Sequence, residues 1–256
     1  MFDELSKEHE VDVYAANGNT VFPDMPPFDP NVFYDRGILN HAACLTFLRK
    51  RASIGRTIFT SHGVIPGAEK PVDGADVYVS VSEEVQAQRA KEGYESVVIR
   101  NPINLDKFNA TKPSFKLGKV LWLSNNPRSK EKLIRGATRG LRLKIIGRDN
   151  QQRDVRSSIM WADLVIGLGR SAYESMSMRR NVIVLDYKGA DGFVDLDTIM
   201  EFRKSNCSGR RYAENWNIPR LAEELHKYNP DIGHSLRAYI AENNNVETIA
   251  EQYLCL

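Results

Sequence analysis

The residues with the clearest chemical capacity lie between Trp161 and Asp186. Leu164-Val165-Ile166 is a short apolar run followed by Gly167 and Gly169, then by Arg170-Ser171-Ala172-Tyr173-Glu174; a second apolar run, Val182 to Leu185, ends at Asp186. This is the pattern of strand, tight turn, helix and strand in a buried parallel sheet. Glycine lets the backbone turn sharply and lets a ligand approach the main chain. The helix opened by Ser171 would offer free N–H groups to a phosphate, at the edge where open parallel sheets bind ligands. The same spacing has a plainer use. Ser171 and Glu174 stand three apart, as in a capping box, where the glutamate satisfies only an orphan backbone N–H. On spacing alone the capping reading is the stronger.

Two further groups could carry chemistry. Residues 128–148 hold eight Lys and Arg and one acid, Glu131; such runs are usually solvated faces. His62 follows an expected strand, Arg56 to Ser61, and precedes Gly63. Taken alone it has the standing of a structural histidine.

The segments Ala162-Asp163-Leu-Val-Ile-Gly, Gly169-Arg-Ser-Ala-Tyr-Glu174-Ser-Met-Ser-Met and Asn181-Val-Ile-Val-Leu-Asp resemble the donor-nucleotide segment of GT-B glycosyltransferases, family four in particular. Asn101-Pro-Ile-Asn-Leu-Asp-Lys-Phe108 is similar to the segment that closes the first domain of these enzymes, and the match is best over about 55–190. The resemblance implies that Glu174 holds the ribose hydroxyls of a sugar nucleotide, since a carboxylate accepts two hydrogen bonds from vicinal hydroxyls. It implies that Arg128 with Lys130 or Lys132 clamps the donor diphosphate, where cations offset the charge growing on the leaving group. It places Gly63, Gly169, Arg170, Ser171 and Ala172 around the donor and His62 beside the transferred sugar. The family's earlier glutamate position holds Ile166, and its glycine-proline turn is replaced by Arg180-Asn181. The Asp-x-Asp run Asp195-Leu196-Asp197 lies beyond the matched stretch, and the expected transfer is metal-independent, without cofactor, and of the retaining kind.

The elements that must position these residues read as an α/β chain of two Rossmann-like domains facing a cleft, the first incomplete and the second ending in helices. The expected domains are 1–112, on the acceptor side, and 113–256, which binds the nucleotide sugar. In the first, strands are expected at Val11–Tyr14, Asn31–Tyr34, Arg56–Ser61, Ala75–Ser80 and Val97–Ile99. Helices are expected over Ile38–Arg51 and after Ser82, and the proline-rich run from Asn17 to Pro30 reads as a loop. A polar linker would run to about Lys116. In the second, strands are expected at Lys119–Leu123 and Leu141–Ile146. Ser129 would cap a helix running to Thr138, and Tyr187–Gly192 reads as a glycine-rich loop. Helices follow over Val194–Arg203, Ile218–Tyr228 and Ile232–Tyr253, with a break near Asn243–Asn245.

The 256 residues allow a sizeable core and carry a net charge of +2. Residues 1–112 hold 12 basic and 16 acidic side chains and the remainder 23 and 17, a bias that suits a diphosphate ligand in the second half. No apolar run reaches membrane-span length, and the acidic start is unlike a signal peptide. Cys44, Cys207 and Cys255 form neither a disulfide framework nor a metal motif, which points to the cytoplasm. The expected partners are a nucleotide-sugar donor and an unidentified acceptor: glycan, lipid, protein or, less favoured by the modest charge, nucleic acid. The rival reading is a non-catalytic nucleotide-binding subunit of the same fold. A periplasmic-type sugar-binding module gives no reason for the Arg128–Glu174 constellation.

Overall fold

A computed structural model of the chain describes residues 1–14, 28–65, 67–152, 154–187 and 189–256, with the backbone alone at Arg148. The expected loop over 17–30 lies outside the described residues except at 28–30. The chain is mixed α/β with mostly parallel strands. It divides into two compact units, residues 1–102 with 246–256, and residues 103–245.

In chain order, the first unit contributes α1 (Phe2–Leu5), β1 (Phe33–Leu39), α2 (Ala42–Arg51), β2 (Ser53–Ser61), β3 (Val77–Ser80), α3 (Glu83–Lys91) and β4 (Val97–Val98). The second unit contributes β5 (Lys119–Ser124), α4 (Glu131–Ala137), β6 (Arg142–Gly147), α5 (Arg156–Trp161), β7 (Leu164–Gly167), α6 (Arg170–Ser177), β8 (Asn181–Asp186), β9 (Gly189–Phe193), α7 (Leu196–Phe202), α8 (Ile218–His226) and α9 (Ile232–Asn244). The last helix, α10 (Val246–Cys255), belongs to the first unit.

The first unit is a parallel sheet in the order β1-β2-β3-β4. Leu39 and Phe59 pack under Leu45 of α2. On another cluster of the same unit, Ile58, Val79 and Ile99 pack with Ile249 and Tyr253 of α10. There the Tyr253 and Thr60 hydroxyls hydrogen-bond at 3.0 Å. Ile38 and Leu39 pair in register with Ile58 and Phe59, which holds them in β1 and delays the helix expected from Ile38 until Ala42. Residues 11–14 form no strand beyond a bridge at Tyr14.

The second unit has the strand order β6-β5-β7-β8-β9, parallel except for β9. One face buries Val120, Trp122, Ile166 and Ile183 against Ile134 of α4 and Leu221 of α8. Alternate residues of the same strands supply other clusters, Leu121 and Val165 against Ile159 of α5, and Val182 and Val184 against Met176 of α6 and Leu236 of α9. Period-two alternation thus loads both faces of a doubly wound sheet.

The domain limits differ from the expected 112/113. The supposed linker is structural in the second unit, because its main chain is claimed by buried side chains. Arg180, fully buried, donates to the carbonyls of Thr111, Ile159 and Met160 at 2.8–3.0 Å. Asp163 accepts from the amides of Ser114, Gly118 and Lys119 at 3.3, 3.0 and 2.8 Å. An extended segment without a ladder needs such partners.

Candidate functional site

In the second unit β5 is followed by β6 on one side and β7 lies on the other. The order reverses between β5 and β7, and the carboxyl ends of two such strands frame the usual ligand crevice of an open parallel sheet. The loop after β5 carries Arg128 and Lys130; the turn after β7 is Leu168-Gly169, which opens α6. The structure therefore brings Arg128, Lys130, Lys132, Gly169, Arg170, Ser171 and Glu174 to loops and helices at one sheet edge.

Close approach shapes that edge. A Cβ on Gly147, at the end of β6, would stand 2.3 Å from the Ser124 carbonyl oxygen. Gly169 takes φ 53° and ψ −125° as the N-cap of α6, a conformation that side chains disfavour. Its amide donates to the Cys207 carbonyl at 2.8 Å and its carbonyl accepts from Ala172 and Tyr173. At the ends of β5 and β8, Ser124 donates its hydroxyl to Asp186 at 2.5 Å, which spans the end of β7 and fixes the start of the cationic loop.

Two details of the expected helix start are corrected. Ser171 is not the cap but the second residue of α6, and its hydroxyl donates to the Leu168 carbonyl at 2.8 Å. Glu174 makes no capping box; its carboxylate accepts from Arg170 Nε at 2.8 Å. The Ala172 side chain lies in the core with Met176 and Leu236, and its amide donates to the Gly169 carbonyl. Ser129 does not cap α4 either: a 3₁₀ turn, Pro127–Ser129, precedes the helix, and Lys130 is the N-cap.

Glu174 is 7% exposed. Burial pushes its carboxyl pKa up, and the hydrogen bond and charge of Arg170 pull the other way. Arg170 itself is largely exposed, so the buried carboxylate has a solvent-facing partner that a ligand could displace. Lys130 at the cap and Lys132 in the first turn flank Glu131, the acid that suits the positive end of α4. Arg128, 81% exposed, pairs with Asp149 at 3.2 Å. Tyr187–Gly192, expected as a loop, is mostly β9, an edge strand antiparallel to β8; residue 188 is outside the described residues.

In the first unit His62 follows β2, Asn40 follows β1 and Asn101 follows β4, all at carboxyl ends. His62 Nε2 is 2.8 Å from Asn40 Oδ1, and Nδ1 is 3.3 Å from Asn101 Oδ1. With both oxygens turned inward the ring donates from both nitrogens; rotating one carboxamide by half a turn suits the neutral ring. The buried Arg89 donates to the Gly63 carbonyl at 2.9 Å and holds the turn after His62. Neither asparagine was singled out in the sequence. Asn40 stands one residue after β1, as His62 does after β2, and Asn101 stands three residues after β4; a polar side chain just past a strand's carboxyl end is the signal that could have found them.

Among the described residues no group of three or more His, Cys, Asp or Glu side chains is placed to hold a metal ion, and no helix is long and apolar enough to cross a membrane. No protein-family model matches the chain, and no curated protein matches it.

Proposed function

We propose that the chain is a GT-B-type glycosyltransferase whose second unit binds a nucleoside-diphosphate sugar and transfers the sugar to an acceptor hydroxyl without a metal. The observation that carries this reading is the buried, arginine-tethered Glu174 in the helix that leaves the topological switch point, one strand from the Arg128–Lys132 loop. The α6 amides of Arg170 and Ser171 have no acceptor among the described residues and face no intrahelical partner by position. They and the cations would receive the diphosphate, and Glu174 would take the ribose hydroxyls in place of Arg170.

In the transfer the bond from the anomeric carbon to the diphosphate oxygen breaks as the acceptor oxygen bonds to that carbon. The acceptor proton passes to the departing phosphate, on the same face, and Arg128, Lys130 and Lys132 offset the charge left there.

Thermal unfolding with UDP, GDP, ADP, dTDP and CMP added separately tests the proposal. A ligand at a hundred times its Kd stabilises by about 2.7 kcal/mol, a shift of a few degrees for a protein this size. One diphosphate should give the shift, and Glu174→Ala should remove it. A Glu174→Ala protein that binds and turns over donor like the wild type would sink the assignment. Ile166, fully buried in the sheet where the family has its earlier glutamate, favours a second reading, nucleotide binding without transfer. Binding intact with neither transfer nor donor hydrolysis would select it.

A further inference from the structure

The second unit has another polar edge that donor binding leaves unused, the amino edge of the same sheet. Lys119 opens β5 and Arg142 opens β6, and the two are partners in register, so their side chains leave the sheet on one face. Lys144, two residues along β6, shares that face. The ammonium groups of Lys144 and Lys119 stand 4.7 and 6.0 Å from the ring centre of Trp161, at the end of α5.

Asp163 lies at this edge but does not neutralise it. Its carboxylate is buried and spent on the amides of Ser114, Gly118 and Lys119. Those same bonds present the intervening residues to solvent: Phe115 is 82% exposed and Lys116 is exposed beside it. Met160, adjacent to Trp161, is 56% exposed. Lys116 and Arg142 have no acidic partner among the described residues. An exposed phenyl ring and a thioether beside unpaired cations answer two attractions at once, anionic headgroups and the apolar layer beneath them. Successive stacking rings, the usual platform for single-stranded nucleic acid, are not offered: Phe115 stands alone and lysines lie over Trp161.

We propose that the amino edge of the second unit docks on an anionic lipid surface, with Phe115 entering below the headgroups and Lys116 and Arg142 set against them. The proposal is independent of the donor reading, because it uses the opposite edge of the sheet.

Co-sedimentation with vesicles decides it. The wild-type chain should bind vesicles of phosphatidylcholine mixed equally with phosphatidylglycerol, lose that binding as salt rises, and ignore pure phosphatidylcholine. Lys116→Gln and Arg142→Gln should each weaken partitioning about fivefold, and Phe115→Ser about tenfold. Thermal midpoints should stay at the wild-type value, since all three side chains are exposed. Lys204→Gln and Arg211→Gln, two surface cations that pair with Glu201 of α7, serve as controls and should change nothing. Equal binding to uncharged vesicles, no binding to anionic ones, or control variants as damaging as the test variants would each overturn the proposal. So would tighter binding to polyuridylate than to the anionic vesicles, which would give the patch to nucleic acid.

Discussion

The carboxyl edges of the two sheets solve the same geometrical problem with different materials. In the first unit the edge is built of side chains that satisfy one another: Asn40 and Asn101 grip His62, and Arg89 reaches Gly63. In the second it is built of main chain and small residues, with Gly147, Gly167 and Gly169 at or just after strand ends, a cationic loop, and a buried carboxylate tethered to one exposed arginine. Mutual satisfaction fixes a side chain in place. Bare backbone and buried charge leave a polar demand that a ligand can meet, at some cost in stability without one.

That contrast can be broken by mutation. The largest effect is expected at Arg89→Ala, which removes a buried side chain, strands the Gly63 carbonyl and leaves Glu92 only its bond from Gln88; it should cost about 3 kcal/mol in urea unfolding. A loss below about 1 kcal/mol would mean that the first edge is not held by its side chains. Gly147→Ala should cost about 2 kcal/mol, because the new methyl meets a backbone oxygen that cannot rotate away. Gly167→Ala comes closest to the Ser171 hydroxyl, at 2.7 Å, a side-chain end that can turn away, with the Leu123 carbonyl oxygen at an ordinary 3.4 Å, and should cost less.

Smaller effects sharpen the comparison. Asn40→Ala and Asn101→Ala should each cost about 1 kcal/mol. The double variant should depart from additivity by about 0.5 kcal/mol or more, since both act through His62; strict additivity would separate them. The smallest effect belongs to Glu174→Gln. Burial raises the folded-state pKa of Glu174 above its unfolded value, so the ionised form destabilises the fold. That cost is full above the folded pKa and vanishes as pH falls below the unfolded one. The glutamine variant should therefore melt higher than the wild type at pH 7, with the gap closing on acidification into the ordinary carboxylate range. A gap that widens instead would show that the Arg170 pair outweighs the burial.

Much of this was legible in the sequence. Buried strands such as Leu164–Gly167 and Asn181–Asp186 announce themselves as apolar runs between glycine and polar punctuation, and Ser82 marks the start of α3. The misses have physical causes. β9, Gly-Ala-Asp-Gly-Phe, has a loop's composition, yet it is an edge strand in which two glycines take positive φ and Asp191 is spent on the Tyr212 amide. α5 is six residues long with two serines, too short to show a period. At α6, spacing found the helix but not its cap, because the turn geometry of Gly169 decides that. In α10 the spacing of Val246, Ile249 and Tyr253 is an apolar stripe, but a stripe says that a helix is buried, not which sheet it meets.

The return of α10 has a consequence for the order of synthesis. Every residue from 103 to 245 leaves the ribosome before the helix that covers Ile58 and Val79 does. The second unit is contiguous and can fold as soon as it emerges. The first is made earlier but waits, its sheet open on that cluster, until residues 246–256 arrive and Tyr253 reaches Thr60. In that interval the half-covered parallel sheet is the part of the nascent chain most in need of a chaperone.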